Sequence, residues 1–301
     1  MEAMTAARTV MLRAADGTPL DVLVGGAPHG PAILAHHGTP SEATTWSDWH
    51  DDAAQRGFRL ISITRPGYAT SARRPGRSVA DAAADARAVL DALDVPWFVT
   101  VGWSGGGPHA LATAALLADR CRAAATLAGV APFGRPDLDF LAGMGPENVD
   151  EFGAALDGEA TLRPWLDVHL APLRTVTGAE IIDAFGGLLP QVDKDVLAGG
   201  FADAMAASCR RALAPGIDGQ LDDDLAFCRD WGFVLDAVRV PVSVWQGDLD
   251  LMVPAAHGAW LAAHLPNARH VFAPGHGHLS LVTTNRAAIL DALVAAATDA
   301  T

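Results

Sequence analysis

Val101-Gly102-Trp103-Ser104-Gly105-Gly106-Gly107 follows an apolar, β-prone run that starts at Trp97, and it opens an alanine-rich helical run from His109 to Ala118. This is a G-x-S-x-G pattern in a strand–turn–helix setting, and the setting gives the pattern its weight. A serine in so sharp a turn takes up a strained backbone conformation, and its hydroxyl stands clear at the end of the strand. Gly102 and Gly106 lack side chains because strand and helix nearly touch there. The helix that begins at once aims free N–H groups and the positive end of its dipole at the same spot.

Working outward, Thr9 to Arg13 and Leu20 to Val24 read as strands around the turn Asp16-Gly17-Thr18-Pro19, an antiparallel hairpin. Ala32 to Ala35 is a short apolar strand closed by His36-His37-Gly38-Thr39-Pro40. Trp46 to Arg56 is helical in pattern, and Arg59 to Thr64 is a buried-type strand running into Arg65-Pro66-Gly67-Tyr68. Ser78 is the N-cap of a helix reaching Leu93, with Asp81 at its third position. Ala123 to Ala128 is another strand. Alternating strands and helices with short connections call for a mostly parallel sheet covered on both faces.

The rhythm stops between about Phe133 and Trp231. Helical patterns over Asn148–Leu156, Ala179–Leu189 and Phe201–Leu213 are punctuated by prolines, with no convincing strand. It resumes with a strand at Val240–Gln246, a helix at Pro254–Leu265, a strand at Arg269–Phe272 and a last helix at Arg286–Ala297. The expected organisation is one α/β core of residues 1–133 and 233–301, with residues 134–232 inserted as a helical lid.

Composition narrows the function classes. Of 301 residues, 50% are hydrophobic and 19% charged, which suits a globular chain. With 21 Lys+Arg against 35 Asp+Glu the formal net charge is −14, which argues against nucleic acid or an anionic membrane surface as partner. Met1 to Arg8 lacks the apolar core of a signal peptide, and no unbroken apolar run approaches the ~18 residues of a membrane span. Cys121, Cys209 and Cys228 are widely spaced, as for reduced thiols in a cytoplasmic protein, and without a C-x-x-C no structural zinc is expected.

A serine hydroxyl needs a base beside it, and the base needs a third group to orient it. In a parallel sheet the carboxyl ends of the strands share one edge, so residues just past them converge. The strand at Val240 ends in Gly247-Asp248-Leu249-Asp250, and the strand at Arg269 in Pro274-Gly275-His276-Gly277-His278-Leu279. These supply Asp248 or Asp250 as acid and His276 or His278 as base. His276 and His278 could also be two metal ligands, but no third ligand pattern lies near, and no metal is expected. Two backbone N–H groups should hold a tetrahedral oxyanion: Gly105, after the serine, and Thr39, in the loop after an earlier strand. His36 and His37 would brace that loop. His37 and Trp103 are candidates for the pocket wall, and Asp222-Asp223-Asp224 reads as a solvated helix face.

The chain resembles the α/β-hydrolase superfamily in its lidded, cofactor-free serine-hydrolase branch. The resemblance is carried by His37-Gly38-Thr39-Pro40, Arg65-Pro66-Gly67-Tyr68, Gly102-Trp103-Ser104-Gly105-Gly106, Gly247-Asp248-Leu249-Asp250 and Gly277-His278-Leu279. It runs over nearly all of the chain outside the lid. The family's Gly-x-x-Asp maps the acid onto Asp250, and its Gly-His-apolar pattern maps the base onto His278. A minority of relatives carry the acid before the lid, which points to Asp137 or Asp139. Many relatives have Asp where this chain has Arg65, a change read as local. Serine at the elbow sets the chain apart from haloalkane dehalogenases and epoxide hydrolases, which use Asp there. Tryptophan before the serine differs from the Gly-Gly-Ser-Trp-Gly of proline iminopeptidases.

The resemblance therefore implies acyl transfer on Ser104, His278 and Asp250, with a carboxylic ester, lactone or thioester as substrate and no cofactor. Phe140, Met144, Phe152, Trp165, Phe185 and Phe201 in the lid suggest a small molecule with an apolar acyl or alcohol group, taken by a monomer or homodimer. The rival readings are a C–C bond hydrolase or haloperoxidase-like perhydrolase on the same triad, an acyltransferase or synthase, and a non-catalytic ligand-binding protein.

Overall fold

The computed structural model describes residues 5–299. Eight strands, β1 (Thr5–Arg13), β2 (Pro19–Gly26), β3 (Ala32–His36), β4 (Arg59–Ile63), β5 (Phe98–Trp103), β6 (Cys121–Leu127), β7 (Val242–Gly247) and β8 (Ala268–Ala273), form one sheet in the order β1-β2-β4-β3-β5-β6-β7-β8. The hairpin β1–β2 and the pair β2–β4 are antiparallel, and every other pairing is parallel.

The two-residue period of a strand sorts its side chains between two cores. In β3, Ile33 and Ala35 enter one core with Trp46, Val99 and Val101, whereas Ala32 and Leu34 enter the other with Val22, Ile61 and Phe98. Helices α1 (His50–Gln55) and α11 (His278–Asp299) cover the first face. Helices α2 (Asp81–Ala92), α3 (Gly106–Leu116) and α10 (Ala255–His264) cover the second. Ser78 is not the N-cap expected of it: α2 begins at Asp81 after Ala80 with no side-chain cap, and the Ser78 N–H instead donates to Asp81 Oδ2 at 2.7 Å.

Between β6 and β7 the described residues form no strand. They fold as α4 (Pro146–Asp157), α5 (Glu159–His169), α6 (Ile181–Ala184), α7 (Gln191–Val196), α8 (Gly199–Ala212) and α9 (Asp218–Phe227). The helical pattern expected over 179–189 is broken after Ala184. Phe185 leads into a 3-10 turn at Gly186–Leu188, and Gly186 sits at φ +54°. The helix expected from Trp46 is split between a 3-10 turn over Ala43–Trp49 and the short α1.

The last helix differs more. It begins at His278 rather than Arg286, because its first turn is capped by a side chain from elsewhere in the chain. Among the described residues α11 is the one helix long and apolar enough to cross a membrane, and here it lies along β5, β6 and β7.

The chain winds from β3 outward to β4 and then returns to β5 on the other side of β3. Such a reversal opens a crevice at the carboxyl ends of the two strands. The loop after β3 and the turn after β5 meet there, with His36 opposite Gly102 in register.

Candidate active site

Ser104 stands in the turn between β5 and α3 at φ +56°, a left-handed conformation that costs a non-glycine residue ~1–3 kcal/mol and needs its surroundings to hold it. Its N–H donates to Leu127 O at 2.9 Å, and its own carbonyl accepts from the Gly107 N–H at 2.9 Å. A Cβ on Gly102 would lie 2.1 Å from Gly106 O, and one on Gly106 would lie 2.1 Å from His36 O. Any side chain at either place would push strand, helix and loop apart. Between Phe98 and Ala114 only Ser104 is not fully buried.

The loop after β3 presses on this turn. A Cβ on Gly38 would lie 3.3 Å from Ser104 Cβ, and one on Gly105 would lie 3.1 Å from Thr39 Cγ2. Thr39 and Gly105 flank Ser104 in a cavity wall, and neither N–H bonds to another described residue. Arg65 sets the orientation of the loop. Its guanidinium donates from Nη2 to Gly38 O at 3.0 Å and from Nη1 to His37 O. In a trans peptide C=O and N–H point opposite ways. Fixing Gly38 O on Arg65 therefore turns the Thr39 N–H away from the guanidinium.

His37, expected in the pocket wall, lies behind the loop and lines neither cavity beside Ser104. Its Nδ1–H donates to Gly38 O at 2.7 Å and its Nε2 accepts the Arg65 N–H at 3.0 Å. Burial, reinforced by the Arg65 charge, holds its pKa well below the ordinary histidine value, so the ring is neutral and braces the loop. Burial likewise lowers His36 to about 3.

At the far strands, Asp250 Oδ2 lies 2.8 Å from His278 Nδ1. Asp250 Oδ1 accepts the N–H groups of Met252 at 2.9 Å and Val253 at 2.8 Å, which fixes the carboxylate. Asp248 is exposed and accepts the Gly275 N–H at 2.7 Å. His276 is half-buried, and its carbonyl accepts the Leu249 N–H at 2.9 Å. Asp137 pairs with His264 at 3.1 Å on the surface. Of the four Asp and His candidates at these strand ends, the structure brings Asp250 and His278 together. Burial pulls the His278 pKa down, but the Asp250 charge and hydrogen bond, with help from Asp193, outweigh it and leave the ring above its ordinary value.

Asp193 was not anticipated. It lies in α7 and is fully buried. Oδ2 accepts the His278 N–H at 2.7 Å, and Oδ1 accepts the Ser280 N–H at 2.8 Å and the Ser280 hydroxyl at 2.7 Å. A carboxylate from another helix thus takes the place of an N-cap on α11 and complements its positive end. A Cβ on Gly277 would lie 2.5 Å from Asp193 Oδ2, so the glycine before His278 makes room for this contact.

Two cavities open at Ser104. One of about 30 Å³ is walled in part by Ser104, His278, Trp103 and Met205. Ser104 and His278 share it without a direct hydrogen bond, as is frequent before a substrate tightens such contacts. The Trp103 ring lies 5.5 Å from the His278 ring at 30°. The other cavity, of about 200 Å³, is walled by Ser104, Thr39 and Gly105 on one side and by α4–α6 and α9 on the other. Phe152, Trp165 and Phe185 reach it as the apolar reading expects, but so do Glu147, Glu151, Asp183 and Asp224. Phe140 instead packs between Phe133, Phe152 and His257. Phe201 faces a separate groove that does not include Ser104.

The Asp222–Asp224 run is a correction, since all three are buried. Side chains at successive helical positions point about 100° apart. Burying three in a row therefore requires α9 to be surrounded. Asp222 pairs with Arg73 at 3.0 Å, Asp223 is held by Arg65, Arg77 and Tyr68, and Asp224 faces the cavity.

Comparisons with known proteins agree with this fold. Residues 31–284 match the family model described as alpha/beta hydrolase fold. The chain is 30% identical over 270 residues to a non-heme haloperoxidase from Rhodococcus erythropolis, covering 88% of this chain and 91% of that protein. It is 27% identical over 253 residues to a pimeloyl-[acyl-carrier protein] methyl ester esterase from Nitrosomonas europaea, covering 83% and 89%. An esterase structure from Exiguobacterium antarcticum superposes with a TM-score of 0.67 at 18% identity, covering 97% of this chain and 100% of that one.

Proposed function

The chain belongs to the α/β-hydrolase fold family, and we propose that within it the protein is a serine hydrolase of small carboxylic esters. In this reading Ser104 attacks the ester carbonyl, His278 takes its proton and passes it to the leaving alcohol, and Asp250 holds the imidazole. The Thr39 and Gly105 N–H groups carry the oxyanion, each worth about 3 kcal/mol to the transition state. Water, deprotonated by His278, then releases the acid from the acyl-enzyme. Residues 134–232 serve as the lid, since α4–α6 and α9 wall the cavity over Ser104.

The observation that carries this reading is the 2.8 Å contact of Asp250 with His278 Nδ1. It leaves Nε2 as the nitrogen for Ser104, on the cavity the two residues share. A cavity of about 200 Å³ suits a small substrate, being under the roughly 300–1,000 Å³ of sites for drug-sized ligands.

The test is a p-nitrophenyl ester series of graded acyl length, with labelling by a fluorophosphonate probe. Turnover should be highest for short acyl chains. Absence of both turnover and labelling would overturn the reading. Asp250→Asn should lower kcat about 10⁴-fold by presenting the wrong tautomer, while Asp248→Asn leaves it within about threefold. The reverse order would make Asp248 the acid.

The pH dependence carries a sign as well. A base must be neutral to accept a proton, and His278 is held above the ordinary histidine pKa. Activity should therefore fall on the acid side, with the midpoint of the kcat/KM profile above about 6.5. A midpoint clearly below that would remove the assigned influence of Asp250 on the ring.

The relative named as a haloperoxidase favours a second reading, in which hydrogen peroxide replaces water on the same acyl-enzyme. Acyl donor plus peroxide would give peracid, which oxidises a halide. Bromination of a phenol dye in acetate, bromide and peroxide, lost in Ser104→Ala, would support it.

A further inference from the structure

The wall of the 200 Å³ cavity is chemically one-sided. Glu147, Glu151, Asp183 and Asp224 contribute to it, His169 is the one basic side chain among the lining residues, and no Lys or Arg takes part. It also holds buried oxygens that no donor reaches. Gln220 is 3% exposed, and its Nε2 donates to Glu151 while its Oε1 has no partner. Asp224 is 1% exposed, and its carboxyl meets that of Glu151 in a side-chain hydrogen bond. Glu147 accepts the Gly187 N–H at 2.8 Å through Oε1, and its buried Oε2 is unpartnered. A buried acceptor without a donor is unfavourable, and two along one wall, beside a buried carboxyl pair, mark a place that lacks a donor-rich occupant.

We propose that this cavity receives the ammonium end of a small amino-ester substrate, with Gln220 Oε1, Asp224 and Glu151 accepting its N–H groups while the ester carbonyl reaches Ser104. The inference rests on the ester-hydrolase reading of Ser104 and specifies its substrate class. An ammonium group is donor only and positively charged, so it answers both the orphaned acceptors and the acidic wall. A neutral hydroxyl brings a lone pair as well as a proton and answers only one of them. Phe152, Trp165, Phe185 and Phe227 in the same wall add aromatic surface that attracts an organic cation. Among the described residues no three His, Cys, Asp or Glu side chains gather as metal ligands. A divalent ion would lack its ligand set there, whereas an organic ammonium needs only acceptors for its N–H groups.

The charge state of the wall is consistent with this occupant. Burial, followed by the nearby Glu151 charge, raises Asp224 well above the ordinary carboxylate range, and burial raises Glu151 too. A cation beside the pair would oppose both shifts by favouring the charged carboxylates.

Calorimetry at low salt with n-butylammonium chloride and with 1-butanol tests the proposal on the wild-type protein. Butylammonium should bind at least tenfold more tightly, and the preference should vanish in E151Q/D224N. Equal binding of the two, or a preference unchanged in that variant, would falsify the subsite. Q220L is a second variant that leaves the two carboxylates in place, and it should reduce the preference several-fold. Since binding rather than turnover is read, a preference for butylammonium stands even if no ester is hydrolysed, and that failure would count against the ester-hydrolase reading alone. With turnover, an amino-acyl aryl ester should exceed its neutral isostere in kcat/KM by about the same factor. The reverse ranking would overturn the assignment of the ammonium end to this cavity.

Discussion

Ser104→Ala should abolish ester turnover, by on the order of 10⁴-fold or more in kcat, while the protein melts within a few degrees of wild type. The two halves of that expectation have separate causes. The hydroxyl is the proposed nucleophile, and when it is gone water must attack without covalent catalysis. The fold depends little on it, because the turn is held by backbone contacts: the Ser104 N–H on Leu127 O, the Gly107 N–H on Ser104 O, and the close packing of Gly102 and Gly106. Alanine meets the same left-handed backbone at the same cost as serine. Steady-state kinetics on p-nitrophenyl acetate, paired with a thermal melt, reads both. A variant that keeps more than a few per cent of wild-type turnover would show that the reaction runs through another group.

Asp223→Ala should cost about 3–5 kcal/mol of stability, the largest single loss expected in this chain. Asp223 is fully buried, and Arg65 and Arg77 are 4% and 5% exposed. Arg65 reaches it through Nη2 at 2.8 Å and Nε at 3.0 Å, Arg77 through Nη1, and the Tyr68 hydroxyl donates at 2.8 Å. Removing the carboxylate leaves two guanidinium groups in the interior with no counter-charge. The cost is mainly theirs and not the worth of the contact itself. Burial alone would raise the Asp223 pKa, but the charges of Arg65 and Arg77 outweigh it and hold the carboxyl well below the usual range. The sign follows: this group's contribution is complete above about pH 4 and is lost as pH falls toward the folded-state pKa. Urea denaturation at pH 7 checks the magnitude. A loss under about 1 kcal/mol would mean that water enters and solvates the arginines. Because Arg65 also holds the carbonyls of His37 and Gly38, kcat should fall in parallel, through a loosened Thr39 loop.

What the sequence revealed and what it hid divide along physical lines. The Ser104 turn was legible because its geometry writes itself into neighbouring positions: two glycines where backbones nearly touch, a strand before, a helix after. The loops bearing Asp250 and His278 were legible because each ends a recognisable strand. Asp193 was not, since it is 85 positions from His278 and caps a helix to which it does not belong. The long-range partners of α9 were hidden in the same way. A run of three aspartates resembles a solvated face until Arg65, Arg73 and Arg77 are seen to surround it. Those arginines were the available signal, above all Arg65, which stands just past the end of a strand of the core. Bonded to Asp223 of α9, Arg65 is part of a charge cluster connecting helix and loop. His37 went astray for a simpler reason: sequence places it beside the loop without saying which side of the loop it faces.

Because the helix that starts at His278 is capped by a carboxylate borrowed from α7, the segment between β6 and β7 is tied to the proposed reaction centre. A chimera in which the segment between β6 and β7 is exchanged for a foreign one inherits a requirement invisible in its splice points: the newcomer must deliver a carboxylate to that spot, or the recipient's histidine swings on an unpinned turn.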